Sequence, residues 1–234
     1  MRAGYTRFVT TWTERLYAFV NRWYAAPLRA GDGNSDLEIS AVERELGDRL
    51  PEVLRDWYRL VGRRLRPAQD MPTRLSELVE RRAWAELPGH VVVWNENQGC
   101  WRVEVPLGDA ADPPARLKPD DDRWIGGATS EVLLSMLLSD TVMGPGFDPG
   151  QHELSSLGPL AAHVVGGYRD EEQGEHLEEL VTNTLPSIAP PANPALAGCW
   201  YGDDELIVVY LQPGWAWMAS GDAAAARARV LLRP

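Results

Sequence analysis

Residues 90–105 read HVVVWNENQGCWRVEV, and this stretch decides the fold. Two runs rich in β-branched and aromatic residues, 90–94 and 100–105, flank a polar connection that ends at Gly99. Strand-forming runs joined by a short loop containing glycine are typical of a β-hairpin. In the second run apolar and charged residues alternate, which predicts a buried face and a solvated face. The buried set is Trp101, Val103 and Val105, and the solvated set is Arg102 and Glu104.

Apolar residues before the hairpin follow helical spacing. From Tyr5 to Trp23 they recur at steps of three and four, which predicts an N-terminal amphipathic helix packed on its own domain. A transit peptide or a membrane-surface helix is the less common source of such a pattern. A second helix is expected to start at Ser40–Glu43, which has capping-box spacing, and to stop at Gly47. A third is expected between Pro51 and Gly62, and a shorter one over 74–84.

The sequence after the hairpin alternates between polar connections and short apolar runs. Residues 107–123 are rich in proline and aspartate and predict a loop, and a helix is expected over 130–139. The remaining expectations are an irregular segment at 141–158, an acidic helix at 169–180, a connector at 185–197, strands at 205–211 and 215–219, and a terminal helix at 222–232.

The formal net charge of −11 bears on the class of partner. Residues 1–35 carry five arginines against two acidic residues, whereas residues 128–234 carry four arginines against fourteen. An acidic chain repels phosphate backbones, so direct binding of nucleic acid is disfavoured. The charge suits a basic protein partner, although acidity is also a common route to solubility. Of the ten tryptophans most are expected in the core, and any left exposed are candidate interface anchors.

Cysteine count and hydropathy favour a cytoplasmic location. Cys100 and Cys199 are too few for a disulfide framework, so reduced thiols are expected, with one long-range bridge as the alternative. No apolar run reaches the roughly 18–20 residues that a membrane span requires. Charged residues interrupt the N-terminal apolar run, which argues against a signal peptide.

Three ordered motifs resemble the SUKH superfamily, which contains bacterial immunity proteins and fungal regulators of cell-wall synthesis. The first is EISAVERELGDRLP at 38–51, followed by Leu54, Trp57-Tyr58 and Val61-Gly62. The second is WNENQGCW at 94–101, and the third is Asp112-Pro113-Pro114. The chain departs from the family pattern at Ala115 and Arg116, and the resemblance covers about residues 36–140.

The resemblance implies an α+β fold with helices packed on a mixed, largely antiparallel sheet. The resemblance defines a SUKH-like core at 36–140, and the residue patterns outside it predict an N-terminal amphipathic helix at 1–35 and a C-terminal extension at 141–234 with strands and a terminal helix packed on the same domain. The resemblance also implies a non-enzymatic protein that binds and neutralises a toxin domain, often a nuclease or deaminase. A scaffold or regulatory module without a toxin is the main alternative, and an unrecognised hydrolase is a distant one.

No catalytic or metal-binding motif competes with a binding role. The four histidines lack metal-ligand spacing, and no phosphate-binding glycine loop or nucleophile elbow is present. We therefore expect no catalytic residues, no metal and no cofactor, and a monomer or weak homo-oligomer. The acidic run 120–122 is more typical of a solvated loop than of a cation site.

The predicted partner-binding surface surrounds the hairpin and the loop after it. Aromatic residues next to acidic ones suit a contact with a basic partner. The alternatives are that the two tryptophans pack together across the hairpin and that the aspartate caps the turn before Pro113. The predicted residues are Trp94, Glu96, Gln98, Trp101 and Asp112.

Overall fold

Two antiparallel sheets and five α-helices form the described part of the chain. The computed structural model describes residues 11–23, 27–64, 71–96, 99, 101–119 and 125–147, together with strands at 163–168, 187–189, 199–202, 207–212 and 215–220. The expected α+β class is confirmed, and every strand pair in these ranges is antiparallel. The predicted helices at 169–180 and 222–232 lie outside the described residues.

The helices before the hairpin follow the apolar spacing of the sequence. They are α1 (Trp12–Trp23), α2 (Asp36–Leu46), α3 (Glu52–Val61), a 3-10 turn (Leu75–Glu77) and α4 (Leu78–Arg82). On α1, Leu16 and Val20 are fully buried, as the amphipathic pattern predicts. Residues 1–10 lie outside the described ranges.

The start of α2 differs from the prediction. The S-x-x-E spacing occurs twice, at Ser35–Glu38 and at Ser40–Glu43, and the earlier copy forms the capping box. The Glu38 amide donates to Ser35 Oγ at 3.3 Å, and the Ser35 amide donates to Glu38 Oε2 at 2.8 Å. Ser40 is therefore inside the helix. The predicted stop at Gly47 is confirmed, because that residue has a φ of 68°, which favours glycine.

The first sheet has the strand order β1-β2-β3-β4-β5. Its strands are β1 (Met71–Pro72), β2 (His90–Asn95), β3 (Trp101–Pro106), β4 (Pro114–Pro119) and β5 (Ile125–Ala128). The predicted hairpin is confirmed as β2 and β3. The predicted loop at 107–123 is wrong over β4, where Ala115 and Leu117 are buried and Arg116 is exposed. The same alternation is present in the sequence, but the flanking prolines favoured the prediction of a loop.

The second sheet has the order β6-β10-β9-β8-β7. Its strands are β6 (His163–Tyr168), β7 (Ser187–Ala189), β8 (Cys199–Gly202), β9 (Ile207–Gln212) and β10 (Trp215–Ser220). The two predicted C-terminal strands are confirmed as β9 and β10. The predicted connector at 185–197 is wrong over β7.

Helix α5 (Thr129–Phe147) contacts strands of both sheets. It extends to Phe147, so the irregular segment predicted from 141 is wrong over 141–147. The seven consecutive residues 132–138 are all buried. Seven residues cover every side of a helix with 3.6 residues per turn, so α5 is packed on all sides over 132–138.

Ion pairs join α2 to α3 and to the turn that follows α3. Arg59 contacts Asp36 at 2.7 Å, Arg63 contacts Glu38 at 2.6 Å, and Arg55 contacts Glu43 at 3.5 Å. The hydrogen bond from Arg63, together with those from Ser35, lowers the pKa of Glu38 from 4.5 to about 2. The Glu38 carboxylate thus takes part both in the helix cap and in the ion pair with Arg63, just after α3.

We expect the Glu38→Gln variant to be less stable than the parent chain, by an amount that depends on pH. Because the folded-state pKa is lowered, the Glu38 carboxylate stabilises the fold above pH 4.5, and this contribution disappears as pH falls from 4.5 through about 2. Urea unfolding of both proteins at several pH values measures the difference. If the two proteins differed in free energy of unfolding by the same amount at pH 6 and at pH 2, the lowered pKa of Glu38 would be contradicted.

Candidate functional site

The end of the β2–β3 hairpin contains two of the predicted binding residues. The Glu96 amide donates to the Trp101 carbonyl at 3.0 Å, and the Gly99 amide donates to the Glu96 carbonyl at 3.0 Å. Gly99 has a φ of 78°, so the glycine at the end of the predicted turn has a conformational role. Trp101 is half-buried and packs against the core. Gln98 lies outside the described residues.

Trp94 is fully buried in the core, where no partner can reach it in this conformation. Its ring lies 5.9 Å from that of Trp57 on α3, centroid to centroid, with 56° between the planes. It stands opposite Val103 in the sheet and not opposite Trp101, so the two hairpin tryptophans are not a direct cross-strand pair. Trp94 can contribute to binding only indirectly, by holding the hairpin in place.

A β-bulge explains the burial of Trp94. The register shifts between Val92 and Trp94, so that Val92 pairs with Glu104 and Trp94 with Val103. Neighbouring residues of a regular strand point to opposite faces, whereas a bulge rotates the chain locally. Val93 and Trp94 consequently both join the same core cluster.

Asp112 caps helix α5. Its carboxylate accepts hydrogen bonds from the Ser130 amide at 3.0 Å and from Ser130 Oγ at 2.6 Å. The Thr129 amide and hydroxyl both donate to the Pro113 carbonyl, at 3.0 and 2.7 Å. These bonds satisfy donors at the start of the helix, which have no partner within it. The capping role suggested by the sequence therefore involves a helix rather than the local turn.

The sheet topology separates Asp112 from the hairpin end. Asn95 pairs with Arg102 at the hairpin end of the sheet, and His90 pairs with Pro106 at the opposite end. Asp112 precedes Pro114, which begins β4 at that opposite end. Six residues at 3.3 Å each place the two ends about 20 Å apart. The predicted residues therefore do not form one continuous surface.

A buried carboxylate fixes the chain between α4 and β2. Glu104 is fully buried, although the alternation in β3 predicted solvent exposure. It accepts hydrogen bonds from the Glu86 amide at 3.0 Å, from the Leu87 amide at 3.4 Å and from Arg102 Nε at 2.8 Å. Burial disfavours the Arg102 cation, but hydrogen bonds to Glu104 and Glu86 outweigh this effect and raise the pKa of Arg102. These contacts give Glu104 a structural role.

The segment fixed by Glu104 presents an exposed tryptophan. Trp84 follows the last turn of α4, and 44% of its surface is exposed. The Arg81 guanidinium lies 3.7 Å above the centre of the Trp84 ring. Val79, on the same helix, is 37% exposed. The sequence pattern placed Trp84 at the end of a helix and contained no signal of its exposure. Residues two positions apart lie on opposite sides of an α-helix, so Val79 is not beside Arg81, and we call Arg81 and Trp84 the α4 surface.

Neither a metal cluster nor a membrane span is found in the part of the chain that the structure describes. No group of three or more His, Cys, Asp or Glu side chains within these ranges could hold a metal ion. No helix there is both long and apolar enough to cross a bilayer.

Comparison with known proteins gave no match: no family model, no curated protein and no solved structure is similar to the chain at a significant level.

Proposed function

We propose that this chain is a non-enzymatic protein-binding protein of the SUKH type, with its family core at residues 36–140 and a C-terminal extension beyond it. In the leading version it is an immunity protein, which neutralises a bacterial toxin by occupying its surface stoichiometrically. The toxin version rests on the three sequence motifs at 38–62, 94–101 and 112–114.

The main support for a binding role is that Trp84 is exposed and that the Arg81 guanidinium stacks on its ring. Tryptophan and arginine are enriched among the residues that dominate interface energies, because they combine large contact area with directed hydrogen bonding. A protein without a partner gains little from leaving a large aromatic ring in water. The contacts of Glu104 support the proposal further, because they hold the segment that follows Trp84 in one conformation and so reduce the entropy lost on binding.

Long-range electrostatics favour a basic partner. The net charge of −11 would raise the rate of encounter with a nuclease or deaminase domain made basic by its own nucleic-acid substrate. Salt screens such attraction, so the association rate should fall as ionic strength rises.

The test is affinity capture with the full chain in its native cell, followed by co-expression of the captured protein. We expect the captured protein to inhibit growth alone and to be harmless with the chain present. Capture of a non-toxic partner would favour the scaffold alternative, and catalytic turnover by the purified chain would contradict both versions.

A further inference from the structure

Within the described residues, Arg81 of the α4 surface lacks the carboxylate partner that several other arginines have. Arg59, Arg63, Arg64 and Arg102 each pair with an acidic side chain within the described residues. Arg81 pairs with no carboxylate there, and its Nη1 atom is covered by protein without a hydrogen-bond acceptor. An atom covered by protein is closed to a partner, so a bound carboxylate would have to use the Nε and Nη2 groups of Arg81.

Stacking leaves a guanidinium free to bind a second group. An arginine that lies flat on an aromatic ring uses its face, whereas its five N–H donors lie in its plane. A planar carboxylate accepts two of these hydrogen bonds side by side. The Trp84 ring beneath restricts the orientation of the guanidinium, so little conformational freedom remains to be lost when an anion binds.

We propose that the α4 surface binds a protein segment that presents an aspartate or glutamate beside an apolar side chain. The carboxylate pairs with Arg81, and the apolar side chain covers the exposed part of Trp84. This inference rests on the proposed protein-binding function and adds the chemistry of the contact.

An acidic contact is compatible with a partner that is basic overall. The net charge of −11 acts over distance and affects the encounter, whereas Arg81 acts at contact and selects the bound segment. A basic domain that places a single carboxylate next to an apolar residue would satisfy both requirements.

Selection from a phage-displayed library of random twelve-residue peptides on the immobilised full chain tests this chemistry. We expect enriched peptides that carry Asp or Glu next to an apolar or aromatic residue. Trp84→Ala should weaken binding of the best such peptide about tenfold or more. Arg81→Glu should abolish the acidic preference and favour Lys or Arg in its place.

Two variants of exposed residues serve as controls. Leu37→Ala removes a side chain that is 84% exposed on α2, and Arg29→Ala removes an exposed arginine outside the α4 surface. Both should bind the selected peptide like the parent chain, and the thermal midpoint of each variant verifies folding.

Failure of this inference is distinguishable from failure of the proposed function. Basic peptides, no enriched peptides, or acidic peptides whose binding is unchanged in Trp84→Ala and Arg81→Glu would overturn the assignment of the α4 surface. If both variants neutralised the toxin as well as the parent chain does, the assignment of the α4 surface would be overturned. The proposed protein-binding function would still stand.

Discussion

Replacing Trp94 with alanine lowers the free energy of unfolding by about 3–5 kcal/mol, the usual cost of deleting a large buried aromatic side chain. Trp94 is fully buried and its ring meets Trp57, so the substitution opens a cavity between the hairpin and α3. Chemical denaturation monitored by far-UV circular dichroism measures the loss.

Trp84→Ala is the matched control for this experiment. It removes the same side chain from a position that is 44% exposed, where truncation typically changes stability by about 0.5 kcal/mol or less. Trp94→Phe should fall between the two, since it retains an aromatic ring and removes an indole N–H that has no acceptor among the described residues. Equal losses at positions 84 and 94 would contradict the burial of Trp94.

Replacing Glu104 with alanine costs about 3 kcal/mol, because the substitution leaves buried hydrogen-bond donors without an acceptor. The donors that lose their acceptor are the amides of Glu86 and Leu87 and the guanidinium of Arg102. The segment between α4 and β2 then loses its attachment to β3. Urea unfolding measures the stability, and hydrogen exchange at the Glu86 and Leu87 amides should rise.

The control is Glu86→Ala, which removes the more exposed of the two carboxylates that contact Arg102. The Glu86 side chain is 44% exposed, and ion pairs at that exposure are typically worth about 1 kcal/mol or less. A Glu104→Ala variant as stable as Glu86→Ala would show that the buried carboxylate adds nothing to the fold.

Signals close together in the sequence predicted much of the secondary structure. The stop at Gly47, the start of α3 after Pro51 and the hairpin around Gly99 all follow from the conformational preferences of glycine and proline. Strands β9 and β10 follow from β-branched and aromatic runs. Each of these signals acts within a few residues, where the chain has few alternatives.

The candidate site was harder to predict because it depends on contacts between distant segments. Alternation along β3 predicted a solvated Glu104, but residues 86 and 87, seventeen or more positions earlier, cover it. A bulge places Trp94 in the core, and nothing in VVVW indicates which residue will bulge. Trp84 is exposed just before residues 86 and 87, whose amides bond to Glu104 on β3. A one-dimensional pattern contains none of these relationships.

The position of α5 between elements of both sheets has a consequence during synthesis. The helix ends at Phe147, but the strands of the second sheet that contact it are completed only at Ser220. At translation rates of about 5–20 residues per second, the intervening chain takes roughly 4–15 s to emerge. Throughout this interval one side of an apolar helix lacks its cover, so the nascent chain should bind ribosome-associated chaperones most strongly at this stage.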